Sequence, residues 1–421
     1  MRTILHSDMN NCYASIELLY RPELRGRPLA VGGDPEARHG IVLAKDLIAK
    51  KAGVKTGMAL WQAREVCPDV VFVPPRMDLY LRFSRRIRDI YAEYTDKQEA
   101  FGIDESWLDV TESVTSSKDG YLIAEEIRRR AKEELGVTVS VGVSWNKIFA
   151  KFGSDYKKPD AVTVIDKDNY KDIVWTSPVG DILYVGRSNA RRLNDIGIMT
   201  IGQLASADRN YLKESMGKMG LILSAFARGE DQTPVSAEGY SAPIKSIGNS
   251  TTTPRDLKTN EDVKIVTYLL AESVSARLRE NNFKCRVVEI SVRDNNLYTF
   301  TRQMRTESPT NITSEIASYA MKLFTGSYDW SKPIRSVGVR GVDLVDASIP
   351  IQLNMFLNQE ERDKQHKIDL AIDNLRGRFG FYSVQRGMMY LDRSLSKLNA
   401  REDHVTHPRG YFANGNQSGV G

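Results

Sequence analysis

The sequence predicts an α+β protein built from several domains, and three observations support this prediction. The 421 residues exceed the roughly 250–300 that a single hydrophobic core usually holds, so about three or more domains are expected. In the first part of the chain, strand-like and helix-like segments follow a split βαβ, ferredoxin-like order. After a segment at 234–243 that is punctuated by proline and glycine, a second alternation of strands and helices begins.

The first alternation begins at the start of the chain. Residues 2–7 predict a short buried strand that ends at Asp8, and residues 10–19 have the apolar spacing of a helix. We interpret residues 20–75 as an insertion into this alternation. Within it, residues 40–75 predict a small helical segment. The elements predicted after it are a long amphipathic helix at 79–94, two short strands with a tight turn at 104–105, a helix at 123–135, a strand at 137–143, a helix at 146–156 and a strand at 161–165.

The rest of the chain contains a helical part and a second αβ part. Short helices are predicted over 166–235, where Val185-Gly186-Arg187 and Ile196-Gly197-Ile198 fit a helix–hairpin–helix whose glycine turn lets backbone N–H groups approach a phosphate. The polar, glycine- and asparagine-rich residues 396–421 predict a flexible tail. The second αβ part is predicted to have strands at 244–252, 285–293, 297–303 and 334–342, and helices at 261–281 and 312–326.

The composition excludes several classes of protein. Hydrophobic residues make up 41% of the chain and charged residues 27%, unlike disordered, collagen-like or disulfide-scaffold proteins. We find no apolar run long enough for a transmembrane helix, and Asp8 comes too early for a signal peptide. Because Cys12, Cys67 and Cys285 are far apart, we expect neither a disulfide framework nor a cysteine-built zinc site, and we predict a cytoplasmic protein.

The charge is unevenly distributed along the chain. Residues 1–239 have 34 basic and 34 acidic side chains, whereas residues 240–421 have 25 and 20 and so carry the whole net charge of +5. A neutral part followed by a basic part favours a catalytic core and a region that meets an anion such as nucleic acid. A solvated surface with a chance asymmetry is the alternative.

Asp8, Asp104 and Glu105 are the first candidate site. A carboxylate at a strand end is often only a cap, but here an apolar hairpin surrounds residues 104–105, and the predicted fold puts Asp8 on a neighbouring strand. Three such carboxylates repel one another, and we find nothing in the neighbouring sequence that would neutralise them. Oxygen-only ligands suit Mg²⁺, and two such ions about 4 Å apart would serve an in-line displacement at phosphorus.

A second candidate site follows Asp8 directly. Asn10, Asn11, Cys12 and Tyr13 begin the next helix, where free backbone N–H groups would cradle phosphate oxygens, although an ordinary Asn cap is the alternative. Tyr13 is either a core aromatic or a wall of a sugar pocket. Lys158 either reaches a triphosphate or only ends its helix favourably.

The segment Gln352-Leu353-Asn354-Met355-Phe356 has the pattern of an extended peptide ligand. A polar anchor is followed by apolar side chains at fixed spacing, which suits a pocket on a partner protein. Plain packing against the second αβ part is the alternative.

Together these segments resemble the Y-family translesion DNA polymerases. Residues 7–17 and 102–110 are similar to the two metal-binding motifs of that family. The similarity continues through 141–151, 158–160 and 245–248 and spans roughly residues 2–395. Several motifs in the right order make this resemblance more specific than any one motif.

The resemblance implies a domain organisation and a function. The domains would be a palm at 1–19 and 76–165, fingers at 20–75, a helix–hairpin–helix thumb at 166–233, a linker at 234–243, a little finger at 244–395 with a sliding-clamp motif at 352–356, and the tail at 396–421. The function would be low-fidelity, template-directed extension of primers past damaged bases. The partners would be primer-template DNA, deoxynucleoside triphosphates, a sliding clamp, and a recombinase filament or accessory subunit, with a monomeric enzyme and no membrane.

The resemblance also implies roles for particular residues. Asp8, Asp104, Glu105 and the Met9 carbonyl match the ligands of two Mg²⁺ ions, with Mn²⁺ as a substitute. Tyr13 matches the steric gate that excludes the ribose 2′-OH, and Lys158 matches a triphosphate contact. The nucleotide-binding candidates are Asn10, Asn11, Cys12, Tyr13, Ala44, Lys50 and Lys158; the DNA-binding candidates are Val185, Gly186, Arg187, Lys245, Ser246, Arg286, Arg335 and Arg340; the clamp-binding candidates are Gln352, Leu353, Met355 and Phe356.

One region departs from the family pattern. Many members have a Tyr-x-x-Arg pair in the fingers, whereas this chain has Leu47 and Lys50, with Ala44 where a hydroxyl residue is common. The stretch 42–50 is closer to the UmuC-like branch, the SOS mutagenesis polymerases. Lys50 keeps the charge but lacks the bidentate fork of arginine, so we expect a weaker triphosphate grip, no phosphate contact by Leu47, and a loosely enclosed base pair.

Two other hypotheses remain open from the sequence. A palm-type enzyme such as a nucleotide cyclase would share the carboxylates but would need neither the helix–hairpin–helix nor the basic second part. A catalytically weak DNA- and clamp-binding damage-response factor is compatible with Leu47 and Ala44.

Overall fold

The computed structural model describes residues 2–33, 40–114, 117–237, 239, 243–349 and 358–397. The described chain folds into two compact units, one from residues 2–33 and 41–237 and the other from residues 243–349 and 358–397. The α+β, multidomain class is confirmed. The finer predicted domain boundaries stay predictions, and the clamp-motif candidates at 352–356 lie outside the described residues.

The first unit contains a five-stranded sheet and a three-stranded sheet. The larger sheet has the order β5-β6-β1-β7-β8, in which β1 is antiparallel to β6 and β7, while β7 and β8 are parallel. The elements are β1 Ile4–Met9, α1 Cys12–Tyr20, β2 Leu29–Gly32, β3 Val42–Lys45, α2 Leu47–Lys51, α3 Leu60–Val66, β4 Val71–Val73, α4 Met77–Ala92, β5 Gln98–Ala100, β6 Glu105–Asp109, α5 Ser117–Leu135, β7 Val139–Ser144, α6 Lys147–Tyr156 and β8 Val162–Val164.

The large sheet confirms the predicted split βαβ order. β1, β5, β6 and β7 with helices α4 and α5 form the ferredoxin-like arrangement, and α6 with β8 extends it at one edge. All six residues of β1 are buried, as expected of a central strand that is covered on both faces. Asp8 therefore lies on a fully buried strand, and Asp104 and Glu105 lie at the start of the neighbouring strand β6.

Helix α6 lies unusually close to the sheet. A Cβ atom on Gly142 of β7 would come within 1.9 Å of the carbonyl oxygen of Ala150 in α6, so only glycine permits this packing. The next residue, Val143, points to the other face, where it meets α5 at Gly120. The close approach of α6 places Lys151 over the end of β1, next to the carboxylates.

The insertion differs from its prediction. The structure has strands β2, β3 and β4 in the order β3-β2-β4, with α2 and α3 beside them. The prediction of a helical insertion was therefore wrong at 42–45, which is strand β3. A short apolar run such as 41–43 shows no periodicity that separates a strand from a helix, which explains the error.

The last part of the first unit is helical, as predicted. Its helices are α7 Arg187–Asp195, α8 Ile201–Ser206, α9 Arg209–Met216 and α10 Lys218–Ala227. Gly197 turns the chain between α7 and α8 with a φ of 82°, a conformation that favours glycine. The predicted helix–hairpin–helix pair is thus present as two short helices joined by a glycine turn.

The second unit contains a four-stranded antiparallel sheet in the order β11-β10-β12-β9. Every strand and helix predicted between 244 and 342 is present. The elements are β9 Ser246–Leu257, α11 Asn260–Glu280, β10 Phe283–Asp294, β11 Thr299–Thr310, α12 Thr313–Thr325, β12 Ile334–Asp346, α13 Gln359–Phe379 and α14 Arg393–Ser396.

The end of the described chain is more ordered than the predicted tail. Ser396 belongs to α14 and donates a hydrogen bond to the Met389 carbonyl at 2.6 Å, so the tail prediction was wrong at this residue. Residues 398–421 lie outside the described part. Helix α13, which the sequence analysis did not identify, is held by Arg279, which donates hydrogen bonds to Asp369 and Asp373.

Two remaining expectations concern membranes and cysteines. None of the helices in the described ranges is long and apolar enough to span a membrane. Cys12, Cys67 and Cys285 are all buried and free. Burial raises the pKa of the Cys12 thiol well above its usual value, which keeps this neighbour of the carboxylates uncharged.

Candidate active site

The predicted carboxylates meet at one end of the central sheet. Asp8 of β1 is paired with Glu105 of β6 in antiparallel register. The backbone N–H of Met9 donates a hydrogen bond to the Asp104 carbonyl at 2.9 Å. The side chains of Asp8 and Glu105 are 11% and 18% exposed. The structure therefore brings all four predicted metal-site residues, Asp8, Met9, Asp104 and Glu105, to one place.

Two lysines from a distant part of the chain contact this acidic site. Lys151 Nζ lies 3.1 Å from Asp8 Oδ2 and 2.5 Å from Glu105 Oε2. Lys158 Nζ lies 2.6 Å from Asp8 Oδ2, and both lysines also contact Asp155. The neighbouring sequence offers no such cation, as expected, because Lys151 lies on α6 and Lys158 follows that helix, more than 40 residues beyond the hairpin.

The carboxyl groups are nevertheless reluctant to ionise. Burial, helped by the nearby charge of Asp8, raises the pKa of Asp104 to about 6. Burial also raises the pKa of Glu105 to about 7, although the Lys151 ammonium opposes the shift. Further positive charge at this site would therefore stabilise the ionised carboxylates.

His6 is a further residue that the sequence analysis missed. It is fully buried behind Glu105, with Nε2 3.4 Å from Glu105 Oε2 and Nδ1 2.8 Å from Ser154 Oγ. Burial lowers the pKa of His6 well below its usual value, so the imidazole is neutral at physiological pH. The sequence carries no signal of this contact, because Ser154 and Glu105 are far from His6 in the chain.

The donor set fits a hard divalent cation. Carboxylates and a backbone carbonyl are oxygen ligands of the type that Mg²⁺ prefers, and the raised pKa values of Asp104 and Glu105 indicate a shortage of positive charge. Within the described ranges, no three acidic, histidine or cysteine side chains yet have the arrangement of a formed metal site. Lys151 and Lys158 lie between the carboxylates instead.

A cavity of about 400 Å³ opens beside the carboxylates. We call its two sides the palm wall, formed by residues 8–13, Asp104, Lys158 and Pro159, and the fingers wall, formed by residues 43–45, Leu47, Lys50 and Thr56. Every nucleotide-binding candidate lines this cavity, namely Asn10, Asn11, Cys12, Tyr13, Ala44, Lys50 and Lys158. The structure thus gathers residues from four separate chain segments around one space.

The start of α1 does not carry an ordinary asparagine cap. Asn11 has a left-handed backbone, with φ 51°, and its side chain makes no capping hydrogen bond. Asn10 is buried and ties β1 to β7, since its side chain bonds to Thr138 at 3.1 Å and to Ser140 at 2.9 Å. The capping alternative is therefore wrong for Asn11, and the Asn10 side chain is already occupied by protein partners.

Two family models match the chain. The impB/mucB/samB family matches residues 7–155, and the impB/mucB/samB family C-terminal domain matches residues 244–355. The chain is 51% identical over 397 residues to DNA polymerase IV of Acetivibrio thermocellus, across 94% of this chain and 100% of that protein. It is 37% identical over 388 residues to DNA polymerase IV 1 of Bacillus subtilis, across 92% of each.

Solved structures show the same similarity. The Y-family DNA polymerase chimera Dbh-Dpo4(243-245)-Dbh matches with a TM-score of 0.72 at 26% identity, over 82% of this chain and 99% of that one. The chain belongs to the Y family of DNA polymerases. DinB from Sulfolobus solfataricus matches with a TM-score of 0.54 at 28% identity, over 81% of this chain and 98% of that one.

Membership of the family establishes the activity in outline. The chain is a DNA-directed DNA polymerase of the translesion type, which binds primer-template DNA and deoxynucleoside triphosphates and depends on a divalent metal. Because the relatives carry the name DNA polymerase IV, the predicted UmuC-like branch stays a prediction.

The fingers wall of the polymerase contains residues that the sequence analysis missed. Lys45, Thr56 and Leu43 line the cavity together with Lys50. Lys45 Nζ donates a hydrogen bond to Thr56 Oγ1 at 2.9 Å. The wrong helical interpretation of 41–43 hid this strand, so Lys45 at its end was not considered. Leu47, which was not expected to contact phosphate, also lines the cavity.

The DNA-binding candidates are only partly exposed. In the first unit, Gly186 and Arg187 are exposed at the start of α7, whereas Val185 is 6% exposed and packs into the helical core, so its side chain cannot reach DNA. In the second unit, Lys245 and Arg340 are exposed, and Ser246, Arg286 and Arg335 are half-buried.

Proposed function

We propose that nucleotidyl transfer takes place in the cavity between the palm wall and the fingers wall. The observation that supports this is the placement of the Asp8 and Asp104 carboxyl groups on one wall, with Glu105 paired to Asp8 beside it, and of Lys45 and Lys50 on the other wall. A deoxynucleoside triphosphate is strongly anionic along one side and needs both a metal-binding surface and cationic contacts. The cavity provides the metal-binding surface on the palm wall and the cationic contacts on the fingers wall.

Asp8, Asp104, Glu105 and the Met9 carbonyl would hold two Mg²⁺ ions, for which Mn²⁺ would substitute. When bound, the metal activates the primer 3′-OH and offsets charge on the phosphate oxygens. The chain itself contributes position: the β1–β6 register fixes Asp8 beside Glu105. Holding both reactants in line supplies much of the rate enhancement.

The triphosphate would be gripped by lysines from both walls. Lys158 approaches from the palm wall, and Lys45 and Lys50 approach from the fingers wall. Asp46 lies between the two fingers lysines in the chain, but its carboxylate accepts hydrogen bonds from the backbone of Leu29 and Ala49. Among the described residues it forms no ion pair with Lys45 or Lys50, so both lysines stay available for an anion.

Selection against ribonucleotides would come from Tyr13, whose ring lines the cavity next to Asp104. Selection between bases would be poor, because the fingers wall presents small or flexible side chains such as Ala44 and Lys50. A loosely shaped wall rejects distorted base pairs weakly. Low fidelity and tolerance of damaged template bases follow from this arrangement.

DNA would be held through its backbone, without reading of sequence. Gly186 and Arg187 in the first unit, and Lys245 and Arg340 in the second, are the exposed candidates, and phosphate contacts of this kind position a duplex. Clamp binding by residues 352–356 would raise the local concentration at primer ends. A clamp, an accessory subunit, the monomeric state and a cytoplasmic location are part of this proposal.

Primer extension by an isosteric variant tests the assignment of the carboxylates. With Mg²⁺ and all four deoxynucleotides, Asp104→Asn should extend primers at least about a thousandfold more slowly than the wild-type polymerase, since metal positioning supplies most of the catalysis. Asp109→Asn is the matched control. It ends strand β6, which begins directly after Asp104, and its carboxylate accepts hydrogen bonds from the N–H and the hydroxyl of Thr111, so this variant should retain activity.

Undiminished extension by Asp104→Asn would refute the assigned site while leaving the family membership intact. Loss of DNA synthesis without loss of mutagenesis in cells would instead favour the binding-factor hypothesis. A cyclic nucleotide product would favour the cyclase hypothesis.

A further inference from the structure

The proposed sugar gate does not stand alone in the structure. The ring of Tyr13 stacks on the ring of Tyr80, with centroids 4.3 Å apart and planes within 8° of parallel. Tyr13 is half-buried and lines the cavity, whereas Tyr80, on helix α4, is fully buried. Tyr80 thus forms the backing of the gate on the side away from the cavity.

Tyr80 is in turn fixed by a buried carboxylate. Its hydroxyl donates a hydrogen bond to Glu17 Oε1 at 2.7 Å. Glu17 lies one helical turn after Tyr13 on α1 and is fully buried. The backing ring is therefore tied to the same helix that carries the gate, so the two rings keep their spacing whenever α1 and α4 stay packed.

Two arginines complete the arrangement. Arg76, which begins α4, donates to both oxygens of Glu17, from Nε at 3.0 Å and from a terminal nitrogen at 2.7 Å. Arg21 lies 3.1 Å from Glu17 Oε2. A two-pronged arginine contact fixes the orientation of a carboxylate, so the Tyr80 hydroxyl cannot turn away without leaving a buried charge poorly satisfied.

A steric gate works only if it cannot retreat. A pocket of apolar groups rejects an analogue with one added hydroxyl by only about a hundredfold, because such walls yield. Tyr13 is mostly an apolar ring, so its resistance to an added 2′-OH depends on what stands behind it. In this structure that is Tyr80.

We propose that Tyr80 is a positioning residue for sugar selection, which holds the Tyr13 ring against the cavity through a stack that Glu17, Arg76 and Arg21 fix in place. The inference rests on the proposed role of Tyr13 as the gate. It adds a layer of selectivity from residues that do not touch the nucleotide. Sugar selection is then a property of the α1–α4 contact as well as of the gate side chain.

The test compares selection ratios, which cancel differences in the fraction of folded enzyme. For each variant, kcat/KM is measured by single-nucleotide insertion for a deoxynucleoside triphosphate and for its ribonucleotide counterpart. The variants are Tyr80→Leu, Tyr80→Phe, Glu17→Gln and Tyr13→Ala. The matched control is Tyr91→Leu, since Tyr91 is also buried on α4 and bonds through its hydroxyl to Ser7 at 2.8 Å.

We expect Tyr80→Leu to lower the deoxy-over-ribo ratio at least about tenfold, toward the value of Tyr13→Ala. Tyr80→Phe keeps the stacked ring and loses the hydrogen bond to Glu17, so it should retain most of the ratio. Glu17→Gln can still accept that bond and should lower the ratio no more than Tyr80→Phe does. Most of the change should appear as faster ribonucleotide insertion, because the gate has room to retreat. Tyr91→Leu should leave the ratio unchanged even if it lowers both rates.

The outcomes separate this inference from the proposed function. A ratio that is unchanged in Tyr80→Leu but reduced in Tyr13→Ala overturns the positioning role and leaves the gate in place. An equal loss in Tyr91→Leu also overturns it, because any buried tyrosine of α4 would then serve. If Tyr13→Ala itself leaves the ratio unchanged, the gate assignment fails and the inference with it.

Discussion

The palm wall and the fingers wall enclose the same cavity but are built in different ways. On the palm wall, Asn10 bonds to two side chains of the sheet, and Asp8 contacts two lysines. On the fingers wall, Lys45 makes one side-chain hydrogen bond among the described residues, to the Thr56 hydroxyl. The proposed catalytic surface is held in place by several contacts, whereas the surface proposed to receive the nucleotide is held by few among the described residues.

The difference shows how a polymerase combines efficient chemistry with weak discrimination. Transition-state stabilisation requires groups that are fixed before the substrate arrives, and the buried palm wall meets that requirement. Rejection of misshapen base pairs requires a second rigid surface, which Ala44, Leu47 and Lys50 do not supply. Substitutions made in one wall at a time test this difference between the two walls.

The largest expected effect is on stability, at the support behind the palm wall. Glu17→Ala should lower the free energy of unfolding by about 1–3 kcal/mol, because it leaves the buried Tyr80 hydroxyl unsatisfied and the partly exposed Arg76 without its carboxylate. Lys50→Ala on the fingers wall should change it by less than about 0.5 kcal/mol. Urea unfolding of both variants measures the contrast. Glu23→Ala, at an exposed glutamate near α1, is the control. Equal losses of unfolding free energy in all three variants would contradict the expected difference.

The next effect concerns pH and metal affinity. The pKa values of Asp104, about 6, and Glu105, about 7, are raised by burial, so these carboxyls take up protons well above their usual range. Ionisation of both opposes folding; their contribution to stability is greatest below the ordinary carboxyl range and is lost as pH rises through 6 to 7. A divalent cation must displace those protons.

Mn²⁺ titration of the free polymerase, followed by electron paramagnetic resonance, measures this competition. Affinity should fall as the pH is lowered from about 8 to about 5, by up to about tenfold per pH unit for each proton displaced. Asp104→Asn should bind more weakly and lose part of the slope. A flat affinity across this window would show that the carboxyls are already ionised.

The third effect tests the fingers wall itself. Lys45→Met should raise KM for the incoming deoxynucleotide about tenfold, with a smaller change in kcat, because it removes a cation that has no carboxylate partner among the described residues. Burial and the charge of Lys50 lower the pKa of Lys45, as expected for two cations that share one surface.

Lys51→Met provides the matched control for Lys45. Lys51 is exposed on α2 and does not line the cavity, so its loss removes the same charge without the contact. Equal KM increases in both variants would mean that the general charge of the fingers, and not a direct contact, attracts the nucleotide.

The sequence was sufficient for most of the fold and for the acidic part of the site. Period-two and helical spacing identify strands and helices in both units, and acids at the ends of apolar strands point to the metal site because few other residues there are polar. Local spacing singles out Asp8, Asp104 and Glu105, but a carboxylate at a strand end is often only a cap. Their convergence was expected from the predicted order of strands and from the family resemblance.

The parts that escaped prediction depend on packing between distant segments. Lys151 reaches the carboxylates because Gly142 lets α6 approach β7, which no local pattern reveals. The Tyr13–Tyr80 stack joins α1 to α4 across the whole insertion. Lys45 was missed for a different reason: its strand is too short for periodicity to be read.

The smallest expected effect is a gain of function at Lys50. Lys50→Arg restores the planar fork that many family members have at this position, which can donate two parallel hydrogen bonds to a phosphate where lysine acts as a point charge. KM for the deoxynucleotide should fall about threefold, since the exposed side chain gains a donor but still loses rotamer freedom on binding. Steady-state insertion opposite an undamaged template base measures this, with Lys51→Arg as the control. A lower KM that comes with better base discrimination would show that the fingers wall limits both grip and fidelity. An unchanged KM would mean that Leu47, which stands where the family's tyrosine would, sets the limit instead, because an arginine fork has to be held in place by a neighbour before it can act.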